Sequence, residues 1–137
     1  MKKNAWLIII ISLTIIAVLG VFFGNDYFKS DKGFAEAQSL EGKWIRADGG
    51  YTLQLKDATP DGVLNASYFN PKSINVQQAN WKFEKEILYL FVELRDVNYP
   101  GSKYSLRYIK ERDVLAGTYY QATANQTYDI YFSRMKN

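Results

Sequence analysis

The chain has 137 residues, 17 Lys or Arg against 14 Asp or Glu, and neither His nor Cys. That length accommodates one ordinary domain, and the missing imidazoles and thiols exclude Ser-His and Cys-His nucleophiles, thiolate or imidazole metal sites and disulfides. A formal net charge of +3 is too small and too unevenly placed to favour nucleic acid.

Residues 5–24 carry no charge, and only Ser12 and Thr14 are polar. Twenty helical residues span about 30 Å, the thickness of a bilayer hydrocarbon core. Two basic residues, Lys2 and Lys3, precede this run, and every acidic residue follows it. The sequence therefore predicts a transmembrane signal anchor over residues 1–24, with the N-terminus cytoplasmic and the rest periplasmic or extracellular. Trp6 at one end, and Phe22, Phe23, Tyr27 and Phe28 at the other, suit interfacial belts. A cleaved secretory signal is the competing reading, because Val18-Leu19-Gly20 is a weak cleavage site. Either way the remainder is exported. Residues 25–40 mix charges with small residues and read as a tether, with one helical turn around Phe34 to Ser39.

From Glu41 onward the dominant period is two. Residues 41–137 therefore form one all-β domain. Gly42 to Ala47 opens it. Tyr51-Thr52-Leu53-Gln54-Leu55-Lys56 alternates without a break, and Pro60 and Gly62 punctuate the turn that follows. Leu64, Ala66 and Tyr68 share a face before Asn70-Pro71-Lys72 ends that piece. Gln77, Ala79, Trp81 and Phe83 define the next, and Ile87 to Leu94 is apolar on both faces. Arg95 to Gly101 reads as the longest loop. Tyr104, Leu106 and Tyr108, then Leu115 to Tyr120, then Tyr128, Ile130, Phe132 and Arg134 complete eight strands. Short connections favour an antiparallel up-and-down order, and closure into an eight-stranded barrel removes exposed edges. An open sandwich is the alternative.

Gly42-Lys43-Trp44 on the first strand and Arg134 on the last resemble the calycin superfamily, the barrels that include lipocalins, fatty-acid-binding proteins and avidins. The resemblance implies that Trp44 closes one barrel end and that Arg134 packs across it. The opening stretch is similar to avidin and streptavidin in particular, through Gly42-Lys43-Trp44, Gly49, Asp61-Gly62-Val63-Leu64 and Tyr68. There the resemblance makes Tyr68 a ligand contact and Asn70 the neighbouring hydrogen-bonding position. Arg46 replaces an Asn of that pattern, and the position of a ring-stacking Trp falls near Leu94. Both departures argue against biotin.

The aromatics point to a pocket more than the charges do. Eleven of the residues are Tyr, and Tyr51, Tyr68, Tyr104, Tyr108, Tyr119 and Tyr128 fall on interior parity. Buried phenols need hydrogen-bond partners, so such an interior suits a polar-lined pocket for a small amphiphilic or aromatic ligand, or else phenols reaching water at the barrel ends. Arg46, Tyr68, Asn70, Trp81, Tyr108 and Tyr119 are the candidate ligand contacts, and Trp44 and Arg134 the candidate closure. No cofactor or metal is expected. Glu93, Asp96 and Asp129 are the carboxylates best placed for acid/base work, but they read as solvated outer-face charges, so catalysis is not expected. Phe69, Tyr89, Phe91, Tyr120 and Tyr131 fall on outer parity. That face, with the loop 95–101, offers the alternative function of self-association or an envelope-protein contact.

Overall fold

Alternation becomes structure here because each strand buries one of its two faces. The computed structural model describes residues 31–136 of the protein, and of these, residues 33–136 group as one compact unit. A helix, α1 (residues 31–39), is followed by nine strands among the described residues: β1 (Gly42–Arg46), β2 (Thr52–Lys56), β3 (Asn65–Asn70), β4 (Lys72–Ile74), β5 (Val76–Glu84), β6 (Ile87–Asp96), β7 (Tyr99–Ile109), β8 (Val114–Gln121) and β9 (Gln126–Arg134). One 3-10 turn, Lys110–Arg112, joins β7 to β8.

All pairings are antiparallel, in the order β4-β3-β2-β1-β9-β8-β7-β6-β5. The first strand pairs with the last through Trp44↔Arg134, Ile45↔Ser133 and Arg46↔Phe132. A meander whose ends meet is a barrel, and this one is nearly closed. Its seam lies between β4 and β5, which follow each other in the chain but do not pair. An isolated bridge, Val63↔Asn80, spans part of it. Leu64 N–H donates to the Ala79 carbonyl at 3.2 Å and Trp81 N–H to the Gly62 carbonyl at 2.9 Å.

Three sequence expectations change. The barrel has nine strands rather than eight, because Pro71 is only the tip of a tight reversal: Asn70 pairs with Lys72, and β4 runs on to Ile74. A three-residue edge strand carries too little pattern to register as one, and its brevity also limits the exposed edge. The long loop at 95–101 is largely strand. Arg95 pairs with Pro100 and Asp96 with Tyr99, which leaves Val97 and Asn98 as the turn. Finally, residues 33–40 are part of the barrel's packing rather than a bare tether, since Ala37 and Leu40 are buried in its core. Gly33 permits the approach, because a Cβ there would lie 2.7 Å from the Phe83 Cβ. The predicted membrane span, residues 5–24, lies outside the described residues, among which no helix is long and apolar enough to cross a membrane.

Inward side chains fill the barrel where β1, β2, β6, β7, β8 and β9 converge. Trp44, Leu53, Leu55, Leu90, Leu94, Leu115 and Phe132 are fully buried there. One end is stoppered. The Arg134 guanidinium carbon sits 4.2 Å from the Trp44 ring centroid, and Tyr108 meets the same indole edge-on at 6.1 Å. Arg134 also donates to the carbonyls of Ser39 (2.9 Å) and Glu41 (3.1 Å), and to Asp113 Oδ2 at 2.8 Å. Trp44 Nε1 donates to the Leu40 carbonyl at 2.8 Å. The last carbonyls of α1 and its following turn, which have no partner within the helix, are thus met by a cation and an indole N–H.

Candidate functional site

The opposite end of the barrel is open, and β1 delivers Arg46 to it. Arg46 stands two residues beyond Trp44 on the same inward face, only 8% exposed. Its Nε and Nη2 donate to both carboxylate oxygens of Asp48, at 2.5 and 3.2 Å. Nη1 donates to the Tyr104 hydroxyl at 2.8 Å. The guanidinium also lies over the Tyr51 ring, 3.8 Å from its centroid, with Tyr119 at 5.3 Å. A planar fork that is chelated on one edge and stacked on one face has little freedom left.

Beneath it, the Tyr104 and Tyr68 hydroxyls share a hydrogen bond of 2.7 Å. Both residues are fully buried. Tyr104 stacks on Tyr119 at 4.6 Å and meets Phe132 edge-on at 5.2 Å. Tyr68 contacts Tyr51 (6.2 Å) and Tyr99 (6.1 Å). Asp48, Arg46, Tyr104 and Tyr68 form one hydrogen-bonded chain, which floors the mouth and separates it from the apolar core.

Above this floor is a pocket of about 500 Å³, within the range of about 300–1,000 Å³ usual for small-molecule sites. Arg46, Asp48, Tyr51, Asn70, Asn98, Tyr99, Tyr119, Gln121, Thr123 and Tyr128 line it. Asn70 Nδ2 donates to the Tyr99 hydroxyl at 2.7 Å, which leaves the Tyr99 proton to donate elsewhere. Tyr128 donates to Gln126 Oε1 at 2.5 Å and is 43% exposed.

Burial opposes the charge on Arg46, but the Asp48 hydrogen bond and the Tyr104 contact outweigh it and hold the guanidinium firmly protonated. Burial pushes the phenols of Tyr68, Tyr104 and Tyr119 up from the ordinary tyrosine value. For Tyr104, hydrogen bonds from Tyr68 and Arg46 pull partly the other way.

The six candidate contacts therefore divide. Arg46, Asn70 and Tyr119 line the mouth, and Tyr68 lies in its floor. Trp81 and Tyr108 do not reach it. The Trp81 indole donates to the Thr59 carbonyl at 2.9 Å and stacks on Phe34 of α1 at 6.4 Å. Tyr108 belongs to the stoppered end, where its hydroxyl donates to Asp113 Oδ1 at 2.9 Å. It also borders a smaller, mixed-charge cleft of about 340 Å³ with Glu36, Arg107, Lys110 and Glu111. Parity identified both as inward but did not say at which end of the barrel they stand.

Sequence reasoning missed Asp48, Gln121 and Thr123, which sit in or beside turns without alternation to mark them. The available signal at Asp48 was its acidity two residues after an inward Arg. The candidate carboxylates stay apart. Asp96 accepts from the backbone N–H of Asn75 and Val97, at 2.9 and 2.7 Å, which holds its carboxyl low. Glu93 accepts from Gln78 at 3.0 Å and Arg95 at 3.4 Å, while Asp129 is exposed. The outer aromatics are also dispersed. Along one row of register Tyr89 is separated from Tyr131 by Arg107 and Ala116, and along another Phe91 is followed by Ser105, Thr118 and Asp129.

Fold and site together define a nearly closed antiparallel β-barrel, compatible with a calycin-like architecture, sealed at one end and open at a tyrosine-lined mouth. No family model matches the chain, and no curated protein or solved structure matches it. The avidin likeness of the first hairpin thus has no support beyond the residues that carry it.

Proposed function

We propose that this barrel is a non-catalytic binding domain that takes a small ligand other than biotin at its mouth, and that residues 5–24 anchor it to a membrane with the barrel outside the cytoplasm. The observation that carries the binding reading is the pocket of about 500 Å³ above the buried Arg46–Tyr104–Tyr68 floor. Preorganised polar groups beneath a roomy concave surface are what small-molecule recognition uses. Binding is favoured over catalysis because proton transfer at neutral pH works best with groups that titrate near it. The mouth phenols of Tyr68, Tyr104 and Tyr119 are pushed away from that range. The anchor reading rests on the uncharged run behind Lys2 and Lys3.

A screen of the full-length chain in detergent against a fluorinated fragment library, read by ¹⁹F NMR, tests the first half. Saturable binders that perturb Tyr119 and Tyr128 are expected, and a library without a single saturable binder contradicts the reading. Protease protection of C-terminally tagged protein in membrane vesicles tests the second half. Release of the chain by carbonate, or protection on the wrong side, removes the anchor.

A further inference from the structure

From the chemistry of the mouth we infer that its ligand is a neutral saccharide ring, an inference that rests on the small-ligand reading above. Charge decides the first part. Arg46 and Asp48 are the two ionic residues of the pocket lining, and they are chelated to each other at 2.5 Å. The mouth thus offers no uncompensated charge, and an anionic or cationic ligand would have to compete with a bidentate pair already in place.

Depth decides the second part. The Tyr68–Tyr104 hydrogen bond and the Arg46 fork lie across the barrel, with packed Leu and Phe side chains beyond them. An acyl chain has no apolar channel to follow, which separates this interior from a lipid carrier's. What the mouth presents instead is ring faces and uncharged hydrogen-bonding groups. The amides of Asn98 and Gln121 and the hydroxyl of Thr123 each combine donor and acceptor capacity, and the Tyr99 hydroxyl keeps its proton while accepting from Asn70. Tyr128 is 43% exposed and pairs across β8–β9 with Tyr119. A pyranose is complementary on both counts. Its hydroxyls each donate and accept, and its C–H face packs on a tyrosine ring.

Titration of ¹⁵N-labelled full-length protein in detergent with chitobiose, cellobiose and maltose tests the inference, with laurate and glucuronate as acidic comparators. At least one neutral disaccharide should bind saturably and shift the Asn98 and Gln121 side-chain amides. Tyr128→Ala, at an exposed position, should weaken that binding about tenfold or more while leaving the fold's spectrum intact. Gln121→Ala provides a second loss. Retention on chitin or cellulose beads, compared with the soluble disaccharides, distinguishes a polymer ligand from a free sugar. Binding confined to laurate or glucuronate, or saccharide binding unaffected by both substitutions, overturns the inference. If fluorinated fragments occupy the mouth and no saccharide does, the saccharide inference fails alone. If neither binds, the small-ligand reading fails with it.

Discussion

Tyr104 accepts a hydrogen bond from Arg46, 58 residues away in sequence, and simultaneously joins its hydroxyl to that of Tyr68. One phenol oxygen thus ties the first strand to the third and seventh across the barrel. Tyr104→Phe keeps the ring but leaves the Arg46 Nη1 and the Tyr68 hydroxyl without that partner. Stranding buried polar groups costs about 1–3 kcal/mol. Urea unfolding should show a loss of that size with little change in m-value, and an unchanged midpoint would mean that the hydroxyl contributes nothing net.

Alkaline pH should weaken the fold. Tyr68, Tyr104 and Tyr119 are held protonated by burial, so their folded-state values lie above the ordinary one. In the unfolded chain these phenols ionise from about pH 10. There the unfolded state binds fewer protons than the native state, and stability falls as pH rises. Their contribution is fully present below about pH 10 and is lost above it. Absorbance of tyrosinate should therefore rise in two stages, exposed phenols first and the buried set only with unfolding. A single stage at the ordinary value would contradict the burial.

Trp44→Ala removes the stopper of the closed end. The indole is fully buried and receives Arg134 on its face, so a loss of about 3–5 kcal/mol is expected. Arg134→Met retains bulk while deleting the donors to Ser39, Glu41 and Asp113. It should loosen α1 specifically, seen as faster amide exchange at residues 37–41. Equal exchange in both proteins would show that the apolar contacts and the Trp44 hydrogen bond to the Leu40 carbonyl hold the helix without Arg134.

Gly117→Ala should destabilise sharply. A Cβ at that position would lie 2.0 Å from the Ser105 carbonyl oxygen, so β7 and β8 must separate. Overpacking of this kind costs about 1–3 kcal/mol, sometimes more. A thermal midpoint equal to that of the parent would mean that the two strands are not so close in solution.

Alternation made most of this fold readable. Tyr51–Lys56 and Tyr104–Tyr108 declare their inward faces, and the inward assignment of Leu53, Tyr68, Tyr104 and Phe132 matches full burial. The reversal at Lys85–Glu86, where both residues have positive φ, falls where the charged Glu84-Lys85-Glu86 punctuates the pattern. What alternation cannot encode is position along the barrel axis. Tyr108 and Tyr119 share interior parity yet face opposite ends, because the β7–β8 register sets Tyr108 beside Leu115 and Tyr119 beside Tyr104. Tyr128 is inward by parity but 43% exposed, since it lies near the start of β9, where the strand leaves the rim. The short β4 and the strand character of Arg95–Gly101 were obscured for a related reason: Pro71, Pro100 and Gly101 are turn residues by composition, yet Pro71 is only the tip between two paired strands, and Pro100 pairs with Arg95 inside β7.

The floor of Asp48, Arg46, Tyr104 and Tyr68 closes the mouth from beneath, so it would also constrain how fast a ligand held there, as proposed, could be exchanged. With a single doorway, no newcomer can push an occupant out from behind. Replacement would have to wait for departure, so the exchange rate would be fixed by the bound molecule's own dissociation and would not rise with the concentration of its rival.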